Sequence, residues 1–174
     1  MRQMTIEKLL ELYQTGERDF RGIQFIHPEI NDFRDFTSLN LSGVDLRYSD
    51  LDSFVFFTEI NLSNADLRGI GLSNCNMERV NFSGADLSFV YFYQSDLSGA
   101  NLSKANLSGA ILQETILWDA NLSGANLSGT NLTMTRFGGN DLTEANFIYA
   151  RDITTFNNCL FKNTIMPDGS IRNS

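Results

Sequence analysis

The sequence predicts a solenoid, a chain that winds in stacked coils around one hydrophobic core. Three observations predict it. A large apolar residue recurs at every fifth position from Leu62 to Phe147, through 18 units without a gap. The residue two places earlier is mostly small, and the residue one place earlier is Asn or Asp in 13 of the 18 units. The period of five fits neither ordinary element, because a helix places apolar residues about 3.6 apart and a half-buried strand places them two apart.

With the large residue called i, the run begins Leu62, Leu67, Leu72, Met77, Phe82 and ends Phe137, Leu142, Phe147. At i−2 stand Ala65, Cys75, Ala85, Ser95 and others of that size, with Ile70, Val80, Val90 and Asn140 as bulkier exceptions. Ser dominates i+1. A chain that turns a corner every five residues satisfies this pattern, since each short side points one large and one small residue inward. No single unit can bury its own Leu, so the coils must stack.

Units of the type "ADLSGANLSKANLSGA" resemble the pentapeptide-repeat family, A(D/N)LxG in loose form. The resemblance implies an all-β fold, a right-handed quadrilateral β-helix in which four units make a coil of 20 residues. "GERDF" near the start and "MPDG" near the end are similar to cyanobacterial members. The resemblance covers residues 17–166, which implies about seven coils and, at ~4.8 Å per coil, a rod about 35 Å long.

The remaining elements follow in chain order. "TIEKLLELYQTG", residues 5–16, reads as an N-terminal capping helix, with Thr5 as N-cap, Gly16 as C′ residue and Ile6, Leu9, Leu10 and Tyr13 on one face. It would cover an exposed sheet edge at the end of the rod. Phe20 and Phe25 are the first expected inward residues, followed by Phe36, Leu41, Leu46, Leu51 and Phe56. One extra residue is expected between Ile30 and Phe36 and another between Phe56 and Leu62. The phase slips after Phe147 at an irregular corner, "ARDITT" (150–155), and resumes at Phe156, Phe161 and Met166. Residues 167–174 read as a C-terminal cap or tail with a turn at Pro167–Gly169. The whole chain, 1–174, reads as a single domain.

Composition bounds the function. A chain of 174 residues with 42% hydrophobic content is one domain's length and has a real core. A net charge of −8 argues against binding nucleic acid or an anionic membrane directly, since both call for a basic face. No apolar run approaches the ~18 residues of a membrane span, and charges interrupt the N-terminus throughout, so the expected location is cytoplasmic.

Little points to catalysis. Cys75, Cys159 and His27 are the only Cys and His residues, too few for a structural zinc site. Serines are many, but a Ser nucleophile needs a base, and His27 precedes Pro28 as a surface loop residue. The carboxylates at i−1 are expected to face solvent with ordinary pKa values. "FGGND" (137–141) is a lone pair of glycines rather than a phosphate loop. The "N-L-S/T" triplets are a by-product of the repeat. Cys75 and Cys159 both fall at i−2, about five coils apart and too far for a disulfide, so they read as small core residues. The expectation is no catalytic residue, no cofactor, no metal and no enzyme.

Two binding readings remain. Some members of the family mimic duplex DNA and bind type II topoisomerases such as gyrase. A duplex carries one negative charge per ~1.7 Å, about 20 over a rod of this length. Only Asp66, Asp86, Asp96 and Asp141 are acidic among the i−1 residues of the run, and Arg68, Arg79, Lys104 and Arg136 dilute them. The other reading is a scaffold that binds an unknown protein partner or forms a homodimer. Gly71, Tyr91, Ile111, Ile116 and Arg136 replace Asn or Asp at i−1. With 20 residues per coil, Phe89, Tyr91, Tyr93, Ile111, Ile116 and Trp118 are expected to form one outward apolar patch over two sides and two coils. Clustered exposed apolar residues mark contact surfaces, and Trp and Tyr are common at hot spots.

Overall fold

The structure is a computed structural model that describes residues 2–25, 39–49, 51, 57–153 and 155–174. The expected inward residues Phe36 and Phe56, the Ile30–Phe36 irregularity, His27 and the side chains of Ile6 and Phe25 lie outside the described residues.

One unit, Asn106–Ala110, shows why the period is five. Asn106 N–H donates to the carbonyl of Ala85 in the coil below (2.9 Å), and Leu107 N–H to that of Asn126 in the coil above (2.7 Å). Gly109 N–H also donates upward, to Ser128 O (2.9 Å), and Ala110 N–H closes the corner onto Leu107 O (3.0 Å). Ser108 N–H is left, and it donates to Oδ1 of Asn106 (3.2 Å). All five N–H groups of the unit are thus satisfied, one of them by the i−1 side chain, which accounts for the Asn or Asp at that position. The corner at i+2 lies in the left-handed region, with φ +66° at Gly109.

The i−1 residues of successive coils pair in parallel and define four sides. Side 1 runs Asn40, Asn61, Asn81, Asn101, Asn121, Asp141, Leu160. Side 2 runs Asp19, Asp45, Asp66, Asp86, Asn106, Asn126, Asn146, Ile165. Side 3 carries Gly71, Tyr91, Ile111, Asn131 and Arg151, and side 4 Asn76, Asp96, Ile116 and Arg136. Between Asn61 and Arg151 each partner lies 20 residues on, which is four units per coil.

The step departs from 20 near both ends. Asn40 pairs with Asn61 and Asp45 with Asp66, a step of 21. Leu51 N–H donates to Gly71 O and Phe57 N–H to Asn76 O, so Phe57 fills the inward slot below Met77 and is buried. The extra residue therefore enters between Leu51 and Phe57, not between Phe56 and Leu62 as the spacing implied. Two adjacent phenylalanines leave that choice open in the sequence, and pairing with the next coil decides it. Near the C-terminus the step falls to 19, as in Asp141 with Leu160 and in β3 (Phe137–Gly138) with β4 (Phe156–Asn157).

The interior is a continuous ladder of i residues from Leu41 to Phe147, nearly all with no exposure beyond a few per cent. Burying each contributes about 1.5–3 kcal/mol. Phe82 meets Phe92 edge to face at 5.9 Å, and Phe137, Phe147, Phe156 and Phe161 form a second aromatic group at the C-terminal end. The i−2 column between sides 3 and 4 is polar but satisfied. Cys75 Sγ, Ser95 Oγ, Thr115 Oγ1 and Thr135 Oγ1 donate to the carbonyls of Leu51, Leu72, Phe92 and Leu112 respectively.

β1 (Arg2–Met4) pairs in parallel with β2 (Ile23–Phe25). Between them α1 spans Ile6–Gln14, and Thr5 Oγ1 accepts from Lys8 N–H at 3.3 Å. At its other end Gly16 N–H donates to Tyr13 O and Glu17 N–H to Leu12 O, the paired bonds of a Schellman motif, with Gly16 at φ +100°. Leu9 of α1 is fully buried in the core, and the Tyr13 hydroxyl donates to Ser42 O at 2.8 Å. At the C-terminus β5 (Thr164–Ile165) pairs antiparallel with β6 (Ile171–Arg172), and the Arg172 guanidinium lies 3.6 Å from the Phe161 ring centroid. Among the described residues no helix is long and apolar enough to cross a membrane.

Candidate protein-interaction surface

The four sides differ in what they present outward. On sides 1 and 2 the i−1 amides form ladders from coil to coil. Asn81 Nδ2 donates to Asn61 Oδ1 (3.1 Å), Asn106 Nδ2 to Asp86 Oδ1 (3.1 Å) and Asn126 Nδ2 to Asn106 Oδ1 (3.2 Å). All five replacements of Asn or Asp within the repeat run fall on sides 3 and 4: Gly71, Tyr91 and Ile111 on side 3, and Ile116 and Arg136 on side 4. These sides meet along one edge, so the polar ladder is interrupted over one continuous half of the surface.

The six residues expected in the patch are placed as follows. Tyr91 and Ile111 are direct pairing partners on side 3. Ile116 stands on side 4 between Asp96 and Arg136. Phe89 occupies the corner between sides 2 and 3 at φ +58°, a conformation unusual for a bulky residue. Trp118 lies on side 4 against Gly138, where an added Cβ would meet Trp118 Cδ1 at 3.2 Å. Phe89, Tyr91 and Trp118 are 66%, 50% and 49% exposed. Ile111, Ile116 and Tyr93 are half-buried, and the Tyr93 hydroxyl points at Glu114 Oε1 at 3.5 Å.

Sequence reasoning missed two further features. Tyr48 and Tyr149 are exposed at the same corner column as Phe89, separated from it by Gly69, Gly109 and Gly129. Met134, exposed at the corner between sides 3 and 4, joins Trp118, Arg136 and Asn157 around a shallow groove of about 430 Å³. The signal for both was the corner position i+2, which carries a large apolar residue in only a few units.

Electrostatics separate the sides as well. On side 2 Arg21, Arg47 and Arg68 interleave with Asp19, Asp45, Asp66 and Asp86. Arg47 reaches Asp45 at 2.6 Å and Asp66 at 3.2 Å, and Arg68 reaches Asp66 at 2.8 Å. Desolvation pushes the Asp66 carboxyl up. The Arg68 guanidinium and backbone N–H and the charge of Arg47 outweigh it and hold the group below the usual carboxylate value. The expectation of ordinary pKa values at i−1 therefore fails at Asp66, because the i+1 arginine folds back onto it. Cys75 and Cys159 are also placed differently from the expectation. Along the pairing ladders they are four coils and one side apart, not about five coils. Cys159 is only half-buried, and burial pushes its thiol up. Among the described residues no group of three His, Cys, Asp or Glu is placed to hold a metal.

The comparisons with known proteins agree with the coil geometry. The model of the family described as pentapeptide repeats matches eight copies, over residues 60–99, 81–119 and 120–151. No curated protein matches the chain. Among solved structures, HetL, a pentapeptide repeat protein involved in heterocyst differentiation regulation from the cyanobacterium Nostoc sp. strain PCC 7120, is similar at 26% identity. The match covers 97% of this chain and 100% of that one with a TM-score of 0.55. A second pentapeptide repeat protein from Nostoc PCC 7120 is 32% identical over 72% of this chain and 82% of its own, with a TM-score of 0.25. QnrB1, a plasmid-mediated fluoroquinolone resistance protein, is 19% identical over 82% of this chain and 85% of its own, with a TM-score of 0.38. The last two superpose too loosely to carry an argument. A step of 20 residues, an inward ladder of Leu and Phe, and a family match across more than half the chain together make this protein a member of the pentapeptide-repeat family, whose chains wind as right-handed quadrilateral β-helices.

Proposed function

We propose that the protein is a non-enzymatic scaffold that binds a protein partner, or a second copy of itself, through the apolar surface of sides 3 and 4. The residues assigned to that surface are Phe89, Tyr91, Tyr93, Ile111, Ile116 and Trp118. The rod would be a cytoplasmic single domain of about seven coils, with α1 covering one end and residues 167–174 the other.

The observation that carries this reading is the confinement of every break in the repeat run's i−1 pattern to two adjoining sides. The inward pattern does not demand those breaks, since Leu112 and Leu117 stay buried beside Ile111 and Ile116. Likeness to HetL, a protein involved in the regulation of heterocyst differentiation, supports a regulatory setting. Topoisomerase mimicry has less support. The densest acidic column, on side 2, is neutralised by its own arginines, so it offers no line of bare charge like a duplex.

The test is a double substitution, Tyr91→Ser with Trp118→Ser. The circular dichroism and melting of the variant should match the parent. Its mass by light scattering, or its set of proteins captured from lysate, should change. An unchanged mass together with an unchanged set of captured proteins would remove the scaffold assignment. Inhibition of gyrase supercoiling by the parent protein would instead favour mimicry.

A further inference from the structure

The groove around Arg136 carries a more specific assignment, which rests on the scaffold reading and names the chemistry of the partner. Its walls are Trp118 and Met134, both projecting into solvent, and its floor is the buried Phe137. Arg136 is exposed between the walls, and Thr155 and Asn157 supply a neutral rim.

Arg136 differs from most of the described arginines. Arg21, Arg47 and Arg68 pair with aspartates, and Arg79 pairs with Glu59 at 3.3 Å. Arg18 and Arg172 lie on the rings of Tyr13 and Phe161. Arg136 makes no ion pair among the described residues, because its column neighbour below is Ile116 and the nearest acid of that column, Asp96, is two coils away. Arg151, one side over on side 3, likewise makes none among the described residues. Glu114, near the groove's lower edge, is already engaged by Gln94 Nε2 at 2.8 Å. In a chain of net charge −8, Arg136 thus lines the groove without a counter-ion among the described residues, one coil above Ile116 of the apolar patch.

We propose that this groove docks an extended segment of a partner protein that presents a carboxylate and an aliphatic side chain on the same face. In an extended chain residues two apart share a face, about 6.6 Å apart. A carboxylate would take the Arg136 fork in paired hydrogen bonds, and the aliphatic group two residues away would lie between Trp118 and Met134. A Met wall adapts its shape to the guest, and Trp and Arg are both enriched among hot-spot residues.

Trp118 is the only tryptophan in the chain, so its emission reports on the groove directly. The probe is a synthetic peptide repeating Asp-Ser-Leu-Ser, compared with one repeating Lys-Ser-Leu-Ser. The acidic peptide should shift or quench Trp118 emission saturably, more weakly as salt rises, and the basic one should not. Arg136→Glu should weaken the response at least tenfold while the melting curve stays in place. Trp118→Ala should weaken binding of the labelled acidic peptide, read by anisotropy, to a similar degree. No saturable response at millimolar peptide, an equal response to the basic peptide, or an undiminished response in Arg136→Glu would each overturn the assignment. So would a concentration-dependent dimer that needs Trp118 and ignores the peptide, which would give the groove to a second copy. The single substitution Tyr91→Ser separates the two readings. If it changes the mass or the captured proteins while the peptide gives no response, the scaffold stands and the groove assignment falls.

Discussion

The ring of Phe89 lies over the backbone of Gly109, one coil further along the rod: a β-carbon placed on Gly109 would sit 2.7 Å from Cε1 of that ring. The same relation recurs around the molecule. Tyr48 lies over Gly69, Asn64 over Gly84, Arg79 over Gly99, Lys104 over Gly124 and Asp119 over Gly139. A corner side chain leans along the rod onto the next corner, and glycine leaves the room.

This relation predicts energetic coupling between Phe89 and Gly109. Gly109→Ala forces an L-residue into φ +66° and displaces the ring. The backbone part alone costs about 1–2 kcal/mol. In a Phe89→Gly background only that part remains. A double-mutant cycle by thermal or urea unfolding should give a coupling of about 0.5 kcal/mol or more. Strict additivity would mean the ring does not rest there.

Leu107 tests the inward ladder. It has no exposed surface and stacks between Leu87 and Leu127. Leu107→Ala should cost about 2–5 kcal/mol, and Leu107→Asp should unfold the rod locally or wholly. Unchanged circular dichroism and melting in the Asp variant would contradict the inward assignment.

The side 2 ladder makes stability depend on pH. The carboxyl of Asp66 titrates below its unfolded value, so its contribution is complete above the unfolded pKa of about 4 and is lost as pH falls through the folded one. Melting temperature should drop on acidification below about pH 4. Asp66→Asn keeps an acceptor for Arg68 N–H but loses the charge, so it should lower the melting temperature at neutral pH and flatten part of that drop. An identical pH profile in the variant would show that the Arg47 and Arg68 pairs contribute nothing.

The polar column inside the corner between sides 3 and 4 is also testable. Thr115 is fully buried and donates to Phe92 O at 2.6 Å. Thr115→Val preserves the volume and removes the donor, with an expected cost of about 1 kcal/mol. Chemical denaturation would resolve it, and a stabilised variant would show that size alone governs the i−2 position.

The period of five sufficed to assign inward and outward residues, since a strict spacing in a stacked chain leaves one orientation for Leu62 through Phe147. Placing Tyr91 beside Ile111 took more than the period: four units per coil is what the family resemblance implies, and the pairing of the two residues in the structure bears it out. What the period could not decide lay where it breaks or where side chains reach between units. The choice of Phe57 for the slot next to Leu62 depended on which residue could donate to Asn76 O in the neighbouring coil. The lowered pKa of Asp66 depended on the rotamers of Arg47 and Arg68, which bring two cations onto one carboxylate.

The candidate surface divides in the same way. Composition at i−1 determined that five units depart from the pattern. Winding determined that all five share two adjoining sides, and that Met134, marked in the repeat only by its size at a corner position, stands across a groove from Trp118. The physical reason is range. Burial and backbone hydrogen bonding act unit by unit and are written into the local pattern. The meeting of Trp118, Arg136 and Met134 depends on coil pitch, corner geometry and long side chains leaning across coils, which only the tertiary structure sets.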